Sequence, residues 1–153
     1  MAKRRFTLAD QDEALVALIK TAKHKTLARW AIACAERVLP YFVEKYPQDH
    51  RPQQALVALQ HWIDSGIFSM KAIRTASLSA HASAREVGED TPARSAARAA
   101  GQAVATAHVR THAIGAAQYA LQALSRLGKD DYQTIIAQER VWQYQSLLNF
   151  ITN

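Results

Sequence analysis

The chain has 153 residues, of which 49% are apolar and 21% charged, and it contains a single cysteine, Cys34. This composition predicts one globular domain over residues 1–153, and it excludes an intrinsically disordered chain and an internal disulfide bond. The excess of 19 Lys and Arg over 13 Asp and Glu gives a net charge of +6, which favours acidic partners at long range.

The N-terminal part predicts a short basic tail followed by a helix. Residues 1–6 include Lys3, Arg4 and Arg5 and are expected to form a mobile basic end. Apolar residues at helical spacing predict a first helix over residues 8–22. No apolar stretch approaches the roughly 20 residues of a membrane span, and the N-terminus lacks the apolar core of a signal peptide. We therefore expect a cytoplasmic protein that does not contact membranes.

The next two helices are predicted from an apolar stripe and from turn residues. The stripe covers residues 24–46 and has Pro40 inside it. Because proline removes a backbone donor and clashes with the preceding turn, a kink or break is expected near residues 36–39. A third helix is predicted over residues 51–65, and Gly66 is expected to end it.

The C-terminal half predicts three further helices. The first spans residues 70–87 with Ser69 as its cap. The alanine-dense stretch between residues 91 and 127 has no internal proline, which predicts one long, unbroken helix from about residue 93 to 124. The last helix is predicted over residues 131–151. Strand-like alternation is absent, so the predicted fold class is an all-α bundle of five to seven helices with a long central Ala-rich helix.

Polar residues of the predicted long helix fall along one side of it. At about 100° per residue, one edge carries Arg94, Arg98, His108, His112 and Tyr119. If this helix and the preceding one form an antiparallel hairpin, residue 81 lies opposite about residue 99. The helix face with His81 and Arg85 would then meet this edge and bring several cations together, which makes it a candidate site for a ligand or partner.

A cluster of cations needs compensation. It is tolerable when solvated, paired with carboxylates or filled by an anion, because buried unpaired charge costs several kcal/mol. Glu36 is the first internal counter-ion that we expect, and Asp49 is the second. Two separate solvent-exposed faces, or ordinary structural ion pairs, remain the alternative.

The histidines are weak candidates for metal ligands. His108 and His112 are one helical turn apart, but Val109 stands where a hydrolytic zinc site has glutamate. His81 is the obvious third ligand, yet the hairpin register leaves it roughly 13 Å short of His108 along the helix axis. We therefore expect no metal and no cofactor.

Other chemistry is poorly supported. Cys34 lies between two alanines on an apolar face, where a thiol is usually inert packing, and no nucleophile elbow or phosphate-binding loop occurs. A nucleic-acid binder is expected to show a dense stripe of basic residues interleaved with aromatics, and this chain has no such stripe. The hypothesis that the chain is an enzyme is therefore less favoured, and a nucleic-acid partner is not expected.

Several runs resemble the motifs of the Imm-5-like family of bacterial immunity proteins. They are WAIACAERVLP from residue 30, DHRP from 49, AHASAR from 80, AARAAGQAVATAHVRTHA from 96 and ERVWQ from 139. The resemblance covers residues 25 to 142 and implies a small helical protein that neutralises a toxin of a polymorphic toxin system. Gln102 stands where relatives often have histidine, and the helix before Lys25 is an addition.

Two functions remain open. The first is an immunity protein that binds a cognate toxin with an acidic face, without catalysis, for which Arg94, Arg98, Arg110 and Tyr119 are the first anchor candidates. The second is a protein that binds an anionic or phosphorylated ligand, or a metal, through the Arg/His cluster, with an enzyme as one form of it. Apolar residues around the last helix, including Phe150, also suggest a homodimer.

Overall fold

Helices account for all the regular structure of residues 5–153, the part of the chain that the computed structural model describes. In this range there are eight helices and no strand, so the all-α class is confirmed and the expected five to seven helices are too few. Lys3 and Arg4 of the predicted basic end lie outside the described residues. The helices are α1 (Glu13–Thr21), α2 (His24–Glu36), α3 (Leu39–Val43), α4 (Arg51–Ser65), α5 (Met70–Val87), α6 (Pro92–Ala105), α7 (His112–Ser125) and α8 (Tyr132–Thr152).

The first helix begins later than the predicted residue 8. Asp12 is its N-cap, and its carboxylate accepts hydrogen bonds from the backbone N–H groups of Ala14 and Leu15. The residues before it are held by tertiary contacts, since Gln118 Nε2 donates to the carbonyl oxygens of Leu8 and Asp10. A buried partner on α7 therefore replaces the helical hydrogen bonds that the sequence pattern predicts here.

The predicted break at Pro40 is confirmed. Helix α2 ends at Glu36 and α3 begins at Leu39, which places Pro40 in the first turn of α3. A first-turn proline costs little, because its missing N–H would have no partner within the helix.

Helices α4 and α5 have the predicted bounds, and local chemistry accounts for their ends. Gly66 and Gly88 close them with φ of 69° and 75°, in the left-handed region that glycine adopts readily. Ser69 caps α5 by accepting from Ala72 N. None of the helices described here is both long and apolar enough to cross a bilayer.

The prediction of one unbroken Ala-rich helix is wrong. Helix α6 ends at Ala105 and α7 begins at His112. The turn between them is held by other elements: His24 Nε2 bonds to the carbonyl oxygen of Thr106, and Arg110 donates to the carbonyl oxygens at the end of α1. An unbroken helix of about 32 residues would be roughly 48 Å long, whereas a compact domain of this size has a radius of gyration of about 15 Å. Folding the second half back lets both alanine-rich halves be buried.

Helix α6 lies at the centre of the bundle. It contacts α5 on one side and α7 on the other, with α2, α3 and α4 also packed against it. Because the alanine side chain is small, these neighbours can approach the α6 backbone closely. The α6 side chains in the core are Ala93, Ala96, Ala97, Ala99, Ala100, Ala103 and Val104. This packing leaves only a narrow strip of α6 at the surface, between α5 and α7.

Candidate functional site

The surface strip of α6 and the adjoining sides of α5 and α7 form one cation-rich surface. Arg94 and Arg98 lie on α6 and Tyr119 on α7, so the expected single-helix edge is instead assembled from neighbouring helices. We call this surface the cationic face and define it by His81, Arg85, Arg94, Arg98, Tyr119 and Arg126.

Arg98 is at the centre of the cationic face. Its Nη1 lies 2.8 Å from Nδ1 of His81 on α5, which confirms the predicted hairpin register between α5 and α6. Burial lowers the pKa of Arg98, and so does repulsion from Arg85 and Arg94, while Tyr119 opposes the shift. No carboxylate among residues 5–153 forms an ion pair with this guanidinium.

His81 is neutral at physiological pH. Because arginine can only donate, Nδ1 of His81 must accept from Arg98, and the ring proton is then on Nε2. Burial lowers the pKa of His81 to about 4, with further lowering by the positive charges of Arg98 and Arg85 and by His112. The ring therefore adds a hydrogen-bond acceptor to the face and no charge.

Two glycines make room for polar side chains on this surface. A Cβ on Gly101 would lie 2.7 Å from His81 Nε2, and one on Gly115 would lie 2.5 Å from Gln102 Oε1. Both distances are shorter than real Cβ contacts, so an alanine at either position would force the side chain above it to shift. Gln102 in turn bonds through Oε1 to Nδ1 of His112, at 2.9 Å.

A cavity adjoins the cationic face at its His81 end. Its volume is about 350 Å³, and it is lined by Met70, Ile73, Arg74, Ser77, Leu78, His81, Gln102, Ala105, His108 and His112. We call it the histidine cavity. Met70 and Leu78 are 43% and 55% exposed, and Arg74 is exposed as well, so the rim is open to solvent and combines apolar surface with one positive charge.

The expected separation of His81 from His108 rests on a premise that the structure corrects. It assumed that the helix continues past residue 105, whereas the chain turns there and brings both rings to the same cavity. In residues 5–153, however, no three His, Cys, Asp or Glu side chains are arranged to hold a metal ion. The cavity offers exposed apolar surface beside the rings of His81, His108 and His112.

The expected counter-ions do not serve the cationic face. Glu36 is exposed at the end of α2, and Asp49 is bound to Arg51. The carboxylate that does reach the face is Asp90, whose Oδ1 lies 3.2 Å from Arg94 Nη1 and 3.4 Å from Arg126 Nη2. Asp90 is itself exposed, so the cationic face keeps a strong excess of positive charge.

Asp49 belongs to a separate ion-pair network between α4 and α5. Its carboxylate accepts from the Arg51 guanidinium and from Ser83 Oγ, which lower its pKa to about 2. Arg51 also donates to Glu86. The adjoining cavity, about 680 Å³, is larger than the histidine cavity. Asp49, Arg51 and Glu86 are paired with one another, so we regard this network as structural.

The sequence pattern missed two charged groups. Arg126 was not singled out, because an unbroken helix could not bring the end of α7 back beside Arg94. Glu139 on α8 was quoted only within a motif, yet it is 6% exposed and forms a bidentate ion pair with Arg37. Arg110, a candidate anchor for a partner, lies outside the cationic face, and its Nη2 donates to the carbonyl oxygens of Ile19 and Ala22.

The low pKa of His81 predicts a loss of stability on mild acidification. Its folded-state pKa, about 4, lies below the ordinary 6.5, so the unfolded chain binds the proton more readily and stability falls as pH drops through this window. Allowing for solvent screening, we expect His81 to account for on the order of 2 kcal/mol between pH 7 and 4. Urea denaturation at several pH values measures this loss.

The matched variant for this titration is His81→Gln. It should flatten the pH dependence between pH 6.5 and 4, although His112, whose pKa is also lowered, will leave a residual slope. Asp49 contributes only at lower pH, because its stabilising charge is lost below about pH 4. Equal pH profiles for the wild-type and His81→Gln proteins would contradict the prediction.

Comparison with known proteins gives one match. The model of a family described as Imm-5 like putative immunity protein matches residues 17–150. No curated protein and no solved structure matches the chain. The matched range contains the whole cationic face and the histidine cavity, and it begins inside α1, so α1 is only partly an addition.

Proposed function

Because the chain belongs to the Imm-5-like family, we propose that it is an immunity protein that neutralises a cognate bacterial toxin by binding it directly, without turnover. The observation that carries the proposal is the cationic face, where Arg94 and Arg126 share the exposed carboxylate of Asp90 and Arg98 has no carboxylate partner among residues 5–153. An unbalanced surface of this kind, beside an apolar cavity, has the composition of a protein-binding site.

Charge supports a toxin with an acidic face. Potentials of opposite sign speed the encounter of two proteins and suppress wrong partners. Arginine and tyrosine are also the residue types that most often dominate binding energy at interfaces. Arg94, Arg98 and Tyr119 are therefore the anchors that we assign to this interface.

The compartment follows from the same proposal. Cys34 is fully buried and unpaired, which suits a reducing compartment. We propose that the protein acts in the cytoplasm, where it would meet the toxin as it is made or as it enters.

Arg98 also gives some support to a second function, the binding of a small anion or phosphorylated ligand. Its partly buried guanidinium has no carboxylate partner in the described chain, and a free anion could supply one. The exposed apolar rim of the histidine cavity favours a protein partner over this alternative.

Co-expression tests the proposed function. Each candidate toxin domain found among the genes that neighbour the gene for this chain is produced in bacteria with and without the chain. We expect the chain to restore growth and to co-purify with the toxin as a defined complex, whose mass also shows whether it contains one or two copies of this chain. An active toxin domain that still kills and does not bind would contradict the proposal.

A further inference from the structure

We propose that the cationic face and the histidine cavity together bind one acidic, partly apolar segment of a partner protein. In this arrangement a carboxylate of the segment pairs with Arg98, and an apolar side chain near it in sequence enters the cavity. The inference rests on the proposed function in one respect, namely that the partner is a toxin.

The Arg98 guanidinium has room in its hydrogen bonding for a carboxylate from a partner. One of its five N–H groups is directed to His81 Nδ1, and its remaining N–H groups have no protein acceptor in residues 5–153. Its charge is partly desolvated and lies near the like charges of Arg85 and Arg94. A carboxylate would relieve this repulsion and could bind the guanidinium through two parallel hydrogen bonds.

The cationic face already binds one carboxylate from its own chain. Asp90 bridges Arg94 and Arg126 at one end of the surface. Its side chain is 74% exposed, so this pair forms in contact with solvent. The same chemistry is therefore available from a partner at Arg98, one helical turn further along α6.

His81 joins the two halves of the proposed site. Its ring accepts from Arg98 on one side and lines the histidine cavity on the other. Gly101 lets the ring lie close against α6. A side chain bound to Arg98 and one bound in the cavity would thus be neighbours, as residues close in sequence are.

The histidine cavity suits an apolar side chain. Its volume, about 350 Å³, lies at the lower end of the range for small-ligand pockets. Ile73 is buried at its base, whereas Met70 and Leu78 are exposed at its rim. A free phosphate could pair with Arg98 or with Arg74 of the lining, but it would leave this apolar surface in water, which is why we assign the site to a protein segment.

Peptide selection tests the inference without the toxin. Random 12-residue peptides displayed on phage are selected on the immobilised full-length chain, and the enriched peptides are then synthesised with a fluorescent label. We expect an acidic residue and a bulky apolar residue at a fixed short spacing. Fluorescence anisotropy should show at least tenfold weaker binding to the Arg98→Gln and Leu78→Ser variants.

Arg29→Gln is the matched control, because it removes the same charge from an exposed position on α2. It should bind the selected peptides like the wild type, and thermal unfolding should show that all three variants are folded. Equal binding to wild type, Arg98→Gln and Leu78→Ser would overturn the inference, as would failure to enrich any acidic peptide.

Small anions give the remaining arm of the test. The chain is titrated with sodium phosphate and with sodium acetate while its melting temperature is recorded. Stabilisation by low-millimolar phosphate that Arg98→Gln abolishes, without any peptide binding, would overturn the inference in favour of a free-anion site. Failure to neutralise a toxin, with peptide binding intact, would count against the proposed function alone.

Discussion

Replacing Gly101 with alanine is expected to raise the pKa of His81 from about 4 toward its ordinary value of 6.5, a change of two pKa units or more. The new Cβ would lie 2.7 Å from Nε2 and 2.9 Å from two ring carbons, so the ring must leave its place over α6. Once displaced, it loses the burial and the nearby Arg98 charge that keep it neutral. NMR titration of the histidine ring signals measures the change.

Gly115→Ala is the control for this prediction. Its Cβ would meet Gln102, so it should disturb the hydrogen bond to His112 and leave the pKa of His81 low. In Gly101→Ala the free energy of unfolding should fall by about 1 kcal/mol, because the cost of overpacking exceeds the gain in helix propensity. A His81 pKa that stays near 4 in Gly101→Ala would show that the ring tolerates the extra methyl group.

Replacing Arg37 with methionine is expected to lower the free energy of unfolding by about 2 kcal/mol. Arg37 binds both carboxylate oxygens of Glu139 at 2.7 Å, and its guanidinium lies 4.0 Å from the ring centroid of Trp142. Removing one partner of a buried ion pair leaves an uncompensated charge and costs about 3–5 kcal/mol. We discount this value because the Arg37 side chain is 42% exposed.

Urea denaturation of a double-mutant cycle measures the Arg37 effect. Glu139→Gln removes the charge that Arg37→Met leaves unpaired, so the double variant should recover about half of the lost stability. Arg29→Met, at an exposed position of α2, the helix that ends just before Arg37, should change stability by less than about 0.5 kcal/mol. A cost for Arg37→Met no greater than that of Arg29→Met would contradict the prediction.

The ends of α4 and α5 illustrate what could be predicted from local sequence. Gly66 ends α4 through its own left-handed backbone conformation, and Ser69 caps α5 through a hydrogen bond from the backbone N–H of Ala72, three positions away. Pro40 likewise interrupts the helix through its own ring. Such signals are complete within a few residues, so the structure confirms them wherever no distant partner competes.

The candidate site was predictable in part for the same reason. The register of α5 against α6 follows from a short hairpin and places His81 beside Arg98. The place of Arg126 near Asp90 and Arg94 depends on where α7 turns back, and no residue of the turn signals it as strongly as proline or glycine would. The counter-ion Asp90 lies in the short connection between α5 and α6, whereas the sequence analysis favours Glu36 and Asp49.

The sequence by itself determined an all-helical chain, most helix ends, an excess of positive charge and the family to which the protein belongs. Only the tertiary structure decided that the Ala-rich segment folds into two helices, because alanine favours helix equally along its length and cannot specify an end. The choice was made by burial and by long-range bonds from His24 and Arg110 to distant backbone carbonyls. The same turn decided which cations share a surface, and therefore where the protein is proposed to bind its partner.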